Sequence, residues 1–595
     1  MPGMLRVDLT ERTVRSEPIP AAWRRGFIGG KGLGARYLYE ELAPGTDPLG
    51  PENRLMFLVG PLTGRLPGEP RYAAVTKSPL TGTFLDSYAG GTFPGTLAGA
   101  LDGHLGLLVQ GVADEPVRIE VEDGNASIHP AEEWGADTRE TAAAFPDASV
   151  ACIGAAGEQR VAYATIASDG GDHHAGRGGA GAVMGSKRLK AVAVHGTAPE
   201  PSGDLATLRS RYADAYRDDD TGRWQAAGET VESVDFANEV GVLSTRGWQG
   251  GQFDDAGDIG VEAVREAATG RENADDPVPG GFRVDTDEGE TVPRGGTLMS
   301  LGAGLGIDDF DEVARLGATC DRLGMDVISA GNAVAWTMRA ADAGAVDADI
   351  DFGDADAAED LLAAIASRST DLGDTLAAGV DAARDRFGAD TVPTVKSMEL
   401  PAYDPRGSPT MALAYATSDR GACHRRSLPA ETEVFEGDSW DDTDRVRLVI
   451  REQTITSVLW SLIADDFAGA VLEDDLGAEW LSTVDATAPT DPAELLRVGE
   501  RTWTLTRLFN VREGFDASDE TLPSVFERPL AGGPASGDAI DTDWFDGLRR
   551  RYYAARGWNE EGIPTRDLLD RLDLLDVVDD DTPVAGRDSI ARRSD

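Results

Sequence analysis

Ala175-Gly-Arg-Gly-Gly-Ala-Gly-Ala-Val-Met-Gly-Ser-Lys187 sets five glycines around one arginine, and a strand-forming run, 189–194, follows at once. Residues 176–181 fit the pattern G-x-G-x-x-G. A dinucleotide-binding fingerprint also needs a strand before it, a helix after it and an acidic residue about 20 positions on, whereas position 196 is Gly. We therefore expect a turn whose backbone N–H groups and Arg177 side chain bind an anion, with a purely structural turn as the alternative.

The chain around this turn, residues 1–198, has the pattern of a strand-rich domain. Short apolar or β-branched runs, such as 54–60, 106–111 and 117–121, are bounded by Gly, Pro or Asp. Such runs are typical of strands joined by tight turns. The polar segment 199–204 predicts a linker to the remainder of the chain.

Helical spacing dominates beyond the linker. Acidic residues open the segment 308–323, where apolar positions recur at helical intervals, and the runs 328–338 and 494–509 also predict helices. The acid-rich segment 429–444 predicts a surface loop, and residues 582–595 predict a solvated tail.

The charge balance of the chain is strongly acidic. With 105 acidic and 55 basic residues, the 595-residue chain has a net charge of −50. Such a surface repels nucleic acid and anionic membranes. Only five of the basic residues are lysine. We interpret this composition as an adaptation to a cytoplasm rich in salt, where screening reduces self-repulsion; a generally acidic protein is the alternative. The length exceeds that of a single core, so two or three domains are expected.

The few lysines all stand beside Gly-rich or Pro-rich motifs. They are Lys31, Lys77, Lys187, Lys190 and Lys396. A chain that uses arginine almost everywhere else has kept a compact ammonium at these positions, which indicates a specific need for it. That need is either functional or a matter of structural packing.

The cysteines and the termini exclude several classes of protein. Cys152, Cys320 and Cys423 are far apart and give neither a C-x-x-C spacing nor a disulfide framework. The first residues lack the apolar core of a signal peptide, and no apolar run approaches the ~18 residues of a membrane span. We expect a soluble cytoplasmic protein.

Eleven motifs, taken in order, resemble the aldehyde ferredoxin oxidoreductase family over nearly the whole chain. They are residues 29–36, 60–64, 76–82, 90–91, 153–158, 175–187, 320–326, 399–407, 420–424, 499–515 and 551–558. The resemblance implies an α+β multidomain fold, in which an N-terminal β-rich base domain is followed by two mainly α-helical domains that enclose a pterin cofactor. We expect the domains at 1–198, 205–394 and 395–581, with the tail at 582–595.

The resemblance also implies a tungsten (or molybdenum) bis-pterin cofactor, with magnesium at the pterin phosphates. The matching cofactor-binding positions are Arg71, Tyr88, Gly90, His173, His174, Gly176, Arg177, Asp321, Met325, Asp326, Arg420 and Arg426. Arginines at such positions can bind phosphates with two N–H groups at once, and aspartates can accept hydrogen bonds from pterin N–H groups. Tyr88 and His173 stand where the family usually has other residues.

The family's iron–sulfur cluster ligands have no counterpart here. The four cysteine positions are occupied by Asn273, Asp276, Gly280 and Asp465, whereas a [4Fe–4S] cluster normally takes four thiolates. We therefore expect the cluster to be absent. The E-x-x-H motif that binds a bridging iron in the family is also missing, with Arg315 and Ala318 in its place; a homodimer without that iron is possible.

The proton-transfer groups of the family are also changed. A Pro-Glu-Tyr-Glu segment is replaced by Pro293-Arg-Gly-Gly296, and a family Asp is Trp460 here. His424 remains, and histidine is suited to general acid–base catalysis near neutral pH. We therefore expect His424 to be the catalytic residue.

The expected function is oxidation of a small aldehyde to a carboxylic acid, with electrons passed to ferredoxin or a separate partner subunit. The alternative is a protein that binds tungstopterin without redox chemistry: a hydratase or lyase, or a catalytically inactive paralogue. The missing cysteines and acids favour the alternative, and the retained pterin motifs favour the oxidoreductase.

Overall fold

The first part of the chain folds into two six-stranded sheets. A computed structural model describes residues 2–389, 392–465, 467–472, 474–485 and 488–586. The strands of the two sheets are β1 Gly3–Asp8, β2 Thr13–Pro18, β3 Leu55–Leu58, β4 Tyr72–Lys77, β5 Phe84–Ala89, β6 His104–Gln110, β7 Val117–Glu122, β8 Asn125–Pro130, β9 Ser149–Cys152, β10 Ile166–Ser168, β11 His173–Ala175 and β12 Leu189–His195. The helices between them are α1 Ala21–Phe27, α2 Gly30–Glu41, α3 Phe93–Ala100, α4 Thr138–Ala143, α5 Ala155–Glu158 and α6 Ala180–Ser186.

The strand order is β2-β1-β6-β3-β4-β5 in one sheet and β11-β10-β9-β12-β7-β8 in the other. One pair in each sheet is parallel, β1 with β6 and β7 with β12, and the remaining pairs are antiparallel. Phe57, Leu107 and Val192 belong to the core between the sheets. Leu58, next to Phe57, packs instead among helix residues such as Leu508, because successive side chains of a strand face opposite sides.

The remainder of the chain is mainly helical. Two small sheets comprise β13 Ala268–Arg271, β14 Phe282–Thr286 and β15 Gly289–Thr291, and β16 Thr394–Val395 and β17 Met398–Glu399. The helices are α7 Asp204–Asp218, α8 Asp220–Ala227, α9 Glu232–Val240, α10 Ala256–Ile259, α11 Val261–Ala267, α12 Gly295–Thr297, α13 Phe310–Leu323, α14 Val327–Asp342, α15 Ala355–Ser367, α16 Asp371–Leu376, α17 Val380–Phe387, α18 Thr410–Thr417, α19 Ala430–Glu436, α20 Asp442–Leu462, α21 Ala478–Val484, α22 Pro492–Arg512, α23 Thr542–Arg556 and α24 Arg566–Arg571. The predicted fold class is confirmed: a β-rich base is followed by mainly helical parts. The domain limits themselves stay a prediction.

Two local expectations differ from the structure. The segment 429–444 is not simply a loop, because residues 430–436 form α19, whose Phe435 is 77% exposed. The expected tail begins with packed residues. Thr582 is buried and bonded to Tyr39, and Ala585 pairs with Thr565. Residues 587–595 lie outside the described part of the chain.

All five lysines are buried, and each ammonium is bound by protein groups. Lys31 contacts Asp86 and Asp419, Lys77 contacts Glu513, Lys187 donates to Asn53 O, Lys190 contacts Glu158, and Lys396 contacts Glu520. These contacts favour the packing interpretation of the lysines over a direct role in catalysis. In the described ranges, the helices are too short or too polar to cross a lipid bilayer.

Candidate active site

A cavity of about 1110 Å³ opens between the sheets and the helical part. Its wall includes the end of β5, the hairpin of β10 and β11, and the junction between α13 and α14. Nine of the twelve predicted cofactor-binding residues line it, together with the predicted catalytic residue, His424. The nine are Arg71, Tyr88, Gly90, His173, His174, Gly176, Asp321, Met325 and Asp326.

The junction of α13 and α14 places two carboxylates, those of Asp321 and Asp326, on the cavity wall. Gly324 ends α13 with a φ of 73°, which glycine adopts without strain. Asp326 then caps α14 by accepting hydrogen bonds from the N–H groups of Ile328 and Ser329. Met325, between Gly324 and Asp326, is buried and forms a β-bridge with Ala164 of the β-rich part. Local capping therefore fixes the orientation of Asp326 toward the cavity.

Three predicted cofactor-binding arginines, Arg177, Arg420 and Arg426, are buried behind the cavity wall rather than lining it. Arg177 donates to the carbonyl oxygens of Glu399 and Ala422. Its guanidinium thereby joins the Gly-rich turn to the helical part, and its role in binding an anion stays a prediction.

Arg420 and Arg426 each retain one unused donor. Arg420 Nη1 donates to Asp86 O over 2.7 Å, and Arg426 Nε donates to Asp419 over 2.8 Å. The Nε of Arg420 and the Nη1 of Arg426 are buried without a hydrogen-bond partner. Burial would raise the pKa of the nearby Cys423 thiol, but the surrounding arginines, Arg420 first, lower it to about 7. This segment therefore carries excess positive charge and free N–H groups.

His424 is the proton-transfer group that the structure brings to the cavity. Its ring lies 5.7 Å from the Tyr403 ring, and its Nδ1 is buried without a hydrogen-bond partner. Burial and the positive charges of Arg425, Arg177, Arg420 and Arg426 hold the pKa of His424 well below its usual value. The imidazole is therefore held in its neutral form, and its buried Nδ1 is left without a hydrogen-bond partner at the cavity wall.

His173 lines the cavity with both ring nitrogens close to carboxylates, and its role in binding the cofactor stays a prediction. Its Nδ1 lies 3.3 Å from Glu69 Oε1, and its Nε2 lies 3.0 Å from Glu272 Oε1. Both ring nitrogens are therefore occupied by carboxylates. Tyr88 is similarly engaged, because its hydroxyl donates to Asp86 over 2.6 Å and its ring packs against Trp460 at 4.6 Å.

The expected iron–sulfur positions offer no donor set for a cluster. Asn273, Asp276 and Gly280 lie in the loop between β13 and β14, and Asp465 accepts a hydrogen bond from Arg71. The three cysteines are buried elsewhere. Within the ranges that the structure describes, no three or more His, Cys, Asp or Glu residues are grouped to hold a metal ion. Amide and carboxylate oxygens do not fit a [4Fe–4S] cluster, which takes thiolates.

The sequence analysis missed several wall residues. Glu69 and Glu229 line the cavity, and Glu272 lies beside it in contact with His173 and Arg294, yet no motif in the sequence marks any of the three. Arg294 was noted only as the replacement of a family acid. The one available signal for these residues was a pair of glycines, Gly90 and Gly281. A Cβ at Gly90 would overlap Glu69, and a Cβ at Gly281 would overlap Arg294.

The two-sheet base and the helical cover match one family of oxidoreductases. Residues 4–196 match "Aldehyde ferredoxin oxidoreductase, N-terminal domain", and residues 207–574 match "Aldehyde ferredoxin oxidoreductase, domains 2 & 3". The chain therefore belongs to the aldehyde ferredoxin oxidoreductase family.

Individual relatives agree with this assignment. The chain is 33% identical to the tungsten-containing aldehyde ferredoxin oxidoreductase of Pyrococcus abyssi, over 97% of this chain and 99% of that protein. It is 25% identical to the WOR-like subunit of an aliphatic sulfonate oxidoreductase of Pyrococcus furiosus, over 96% of each. Its fold resembles the active-site complex BamBC of benzoyl coenzyme A reductase, with a TM-score of 0.80 over 97% of both chains and 21% identity.

Proposed function

We propose that this chain is a tungsten–pterin oxidoreductase that oxidises an aldehyde to a carboxylic acid and passes electrons to a ferredoxin-like acceptor or a partner subunit. The observation that carries the proposal is the position of His424, a neutral imidazole with an unpaired buried nitrogen, on the wall of a cavity lined by nine expected cofactor-binding residues. The 33% identity to tungsten-containing relatives supports the metal and the reaction; molybdenum is the alternative metal.

The polar groups around the cavity fit a pterin cofactor. Asp321 and Asp326 on the cavity wall supply acceptors for pterin N–H groups, Arg71 on the same wall is a cation that can pair with phosphate oxygens, and Arg420 and Arg426 behind the wall add positive charge and unpaired N–H groups. Magnesium would accompany those phosphates, as the resemblance implies. When bound, the metal–pterin group supplies the two-electron redox chemistry.

The contribution of His424 follows from its environment. In its neutral form His424 can take a proton from the hydrated or attacking form of the substrate, and because burial and neighbouring positive charge lower its pKa, it then releases that proton readily. Tyr403 packs against this ring, and burial raises the pKa of its hydroxyl to about 12, so the tyrosine stays protonated and can donate a hydrogen bond.

Purified protein from a high-salt expression host tests the proposal. We expect about one tungsten or molybdenum per chain, extractable pterin, and aldehyde-dependent reduction of an artificial electron acceptor. A folded protein without metal and pterin would refute the cofactor. A protein with metal and pterin that oxidises no aldehyde would favour the alternative, a hydratase, lyase or inactive paralogue that binds tungstopterin without redox chemistry.

A further inference from the structure

Seven charged side chains form a continuous chain of contacts beside the cavity, in the order Asp465, Arg71, Glu69, His173, Glu272, Arg294 and Glu229. We call this set the acid–base chain. Arg71 lies 2.9 Å from Asp465 and 3.1 Å from Glu69. Arg294 lies 2.6 Å from Glu272. The contacts of His173 are given above, and Arg294 also pairs with Glu229. Acidic and basic groups alternate along the whole set.

The acid–base chain lies where the resemblance places the iron–sulfur cluster. Asp465 is itself one of those four positions, and Glu272 directly precedes Asn273, another of them. Gly280, a third, donates its N–H to the carbonyl oxygen of Glu272 over 2.8 Å. The region that would hold a cluster is therefore occupied by ion pairs.

Small residues make room for the acid–base chain. A Cβ at Gly90 would overlap the Glu69 carboxylate, and a Cβ at Gly280 would lie 2.9 Å from the Cβ of Glu272. A Cβ at Gly281 would overlap the Arg294 guanidinium. Three separate glycines thus leave space for three separate members of the set.

His173 is the member whose usual pKa lies nearest to neutrality. Burial would lower the pKa of His173, and so would Arg294, but Glu69 and Glu272 together raise it above its usual value. Asp172 also faces this group. Burial raises the pKa of Glu229, whereas Arg294 and His173 hold the pKa of Glu272 well below its usual range. His173 is therefore an imidazolium between two carboxylates.

We propose that the acid–base chain handles protons for the cavity, with His173 as the positioning residue that stores a proton between Glu69 and Glu272 and exchanges it through Glu69. Glu69, His173, Glu229 and Arg294 all line the cavity, so the stored proton is one group away from it. This inference rests on the proposed oxidation, RCHO + H₂O → RCOOH + 2 H⁺ + 2 e⁻. The electrons leave with the ferredoxin-like acceptor, whereas the two protons are released in the cavity, where the acid–base chain buffers one of them by giving a proton and taking one back.

The proton step changes no oxidation state. The Nδ1–H proton of His173 moves to a Glu69 oxygen, which breaks one N–H bond and forms one O–H bond. Glu69 then loses that proton to the cavity, and a proton released by the reaction restores the imidazolium by the reverse path. Arg71 and Arg294 are permanently charged and hold the two carboxylates in place during the exchange.

Nitrogen-15 NMR of histidine-labelled protein tests the stored proton without any turnover. His173→Gln assigns the signal among the six histidines. We expect His173 to keep both ring protons to a higher pH in the wild type than in Glu272→Gln. A ring that is already neutral at mildly acidic pH, or one that is unaffected by Glu272→Gln, would overturn the proposal.

Turnover tests the exchange. We expect His173→Gln to lower kcat by about 10²-fold and to alter the pH profile while metal and pterin content stay unchanged, and added imidazole to restore part of the activity of His173→Ala. His129→Gln, an exposed histidine on β8, is the matched control. Activity that falls only in proportion to cofactor content, or that does not change, would contradict the proton role.

The proposed function and this inference can fail separately. If the wild type binds metal and pterin but oxidises no aldehyde, the proposed function fails. Hydrogen–deuterium exchange of the His173 ring N–H groups then decides the inference, because a proton that exchanges with the cavity is replaced within seconds. A ring proton retained for hours would overturn it.

Discussion

Arg71 Nε lies 2.9 Å from Asp465 Oδ1, so a guanidinium just before β4 is bound to a carboxylate just after α20. The two side chains are 14% and 2% exposed. Asp465, which the resemblance places at a cluster-cysteine position, thereby joins the β-rich base to the helical part through an ion pair.

Removal of the Asp465 charge should destabilise the fold. Among the residues that the structure describes, Asp465→Asn leaves Arg71 with Glu69 as its ion-pair partner, and loss of one member of a buried pair costs about 3 kcal/mol. Urea unfolding in molar KCl would measure this loss. Glu479→Gln, which removes the exposed pair with Arg211, is the control and should cost less than about 1 kcal/mol. Equal losses for both variants would contradict the buried-pair interpretation.

Iron and acid-labile sulfide should be close to zero in the purified protein. The positions that would ligate a cluster hold Asn273, Asp276, Gly280 and Asp465, and oxygen ligands are poor substitutes for thiolates. Elemental analysis and a sulfide assay on one preparation would measure both. About four atoms of each per chain, with a paramagnetic signal on reduction, would show that the cluster positions were assigned to the wrong residues.

His424 should control turnover without controlling cofactor binding. Because its neutral ring is the predicted proton acceptor, His424→Ala should lower kcat by about 10²–10⁴-fold with unchanged tungsten and pterin content. Both quantities should be measured on the same preparation. If activity and cofactor content fall together, His424 is a structural or pterin-contacting residue instead. His195→Gln, a substitution at the end of β12, serves as the control.

Glu399 should make stability fall as the pH rises. Burial raises the pKa of Glu399 from 4.5 to about 7, so the folded chain binds this proton more tightly than the unfolded chain. The stability that it contributes is therefore present at low pH and lost between about 4.5 and 7. Glu399→Gln should remove this dependence and stabilise the protein by about 3 kcal/mol at pH 8. Glu262→Gln, at an exposed position, should leave it unchanged.

Stability should depend steeply on salt. At a net charge of −50 the chain repels itself, and the Debye length falls from ~30 Å at 0.01 M to ~3 Å at 1 M ionic strength. The Tm should therefore rise strongly between dilute buffer and molar KCl. Sucrose at matched osmolarity should raise it less, because sucrose does not screen charge. A Tm that is insensitive to KCl would refute the halophilic interpretation.

Much of the architecture could be predicted from local sequence. The runs 106–111, 117–121 and 189–194 became β6, β7 and β12, and the acidic start at 308–309 became the cap of α13 through Asp309. The prediction failed for 429–444, where acidic composition hid the helix α19. Helix N-termini favour acidic residues, so composition alone does not separate a loop from a helix start.

The sequence by itself determined the family, the order of a strand-rich part before helical parts, the acidic surface and the absence of cluster cysteines, because each depends on residue type or on neighbours along the chain. Only the tertiary structure decided that His173 lies between Glu69 and Glu272 and that His424 keeps an unpaired nitrogen. Glu69, His173 and Glu272 follow one another at intervals of about 100 positions. Contacts between them depend on how separate sheets and helices pack, which no local pattern encodes.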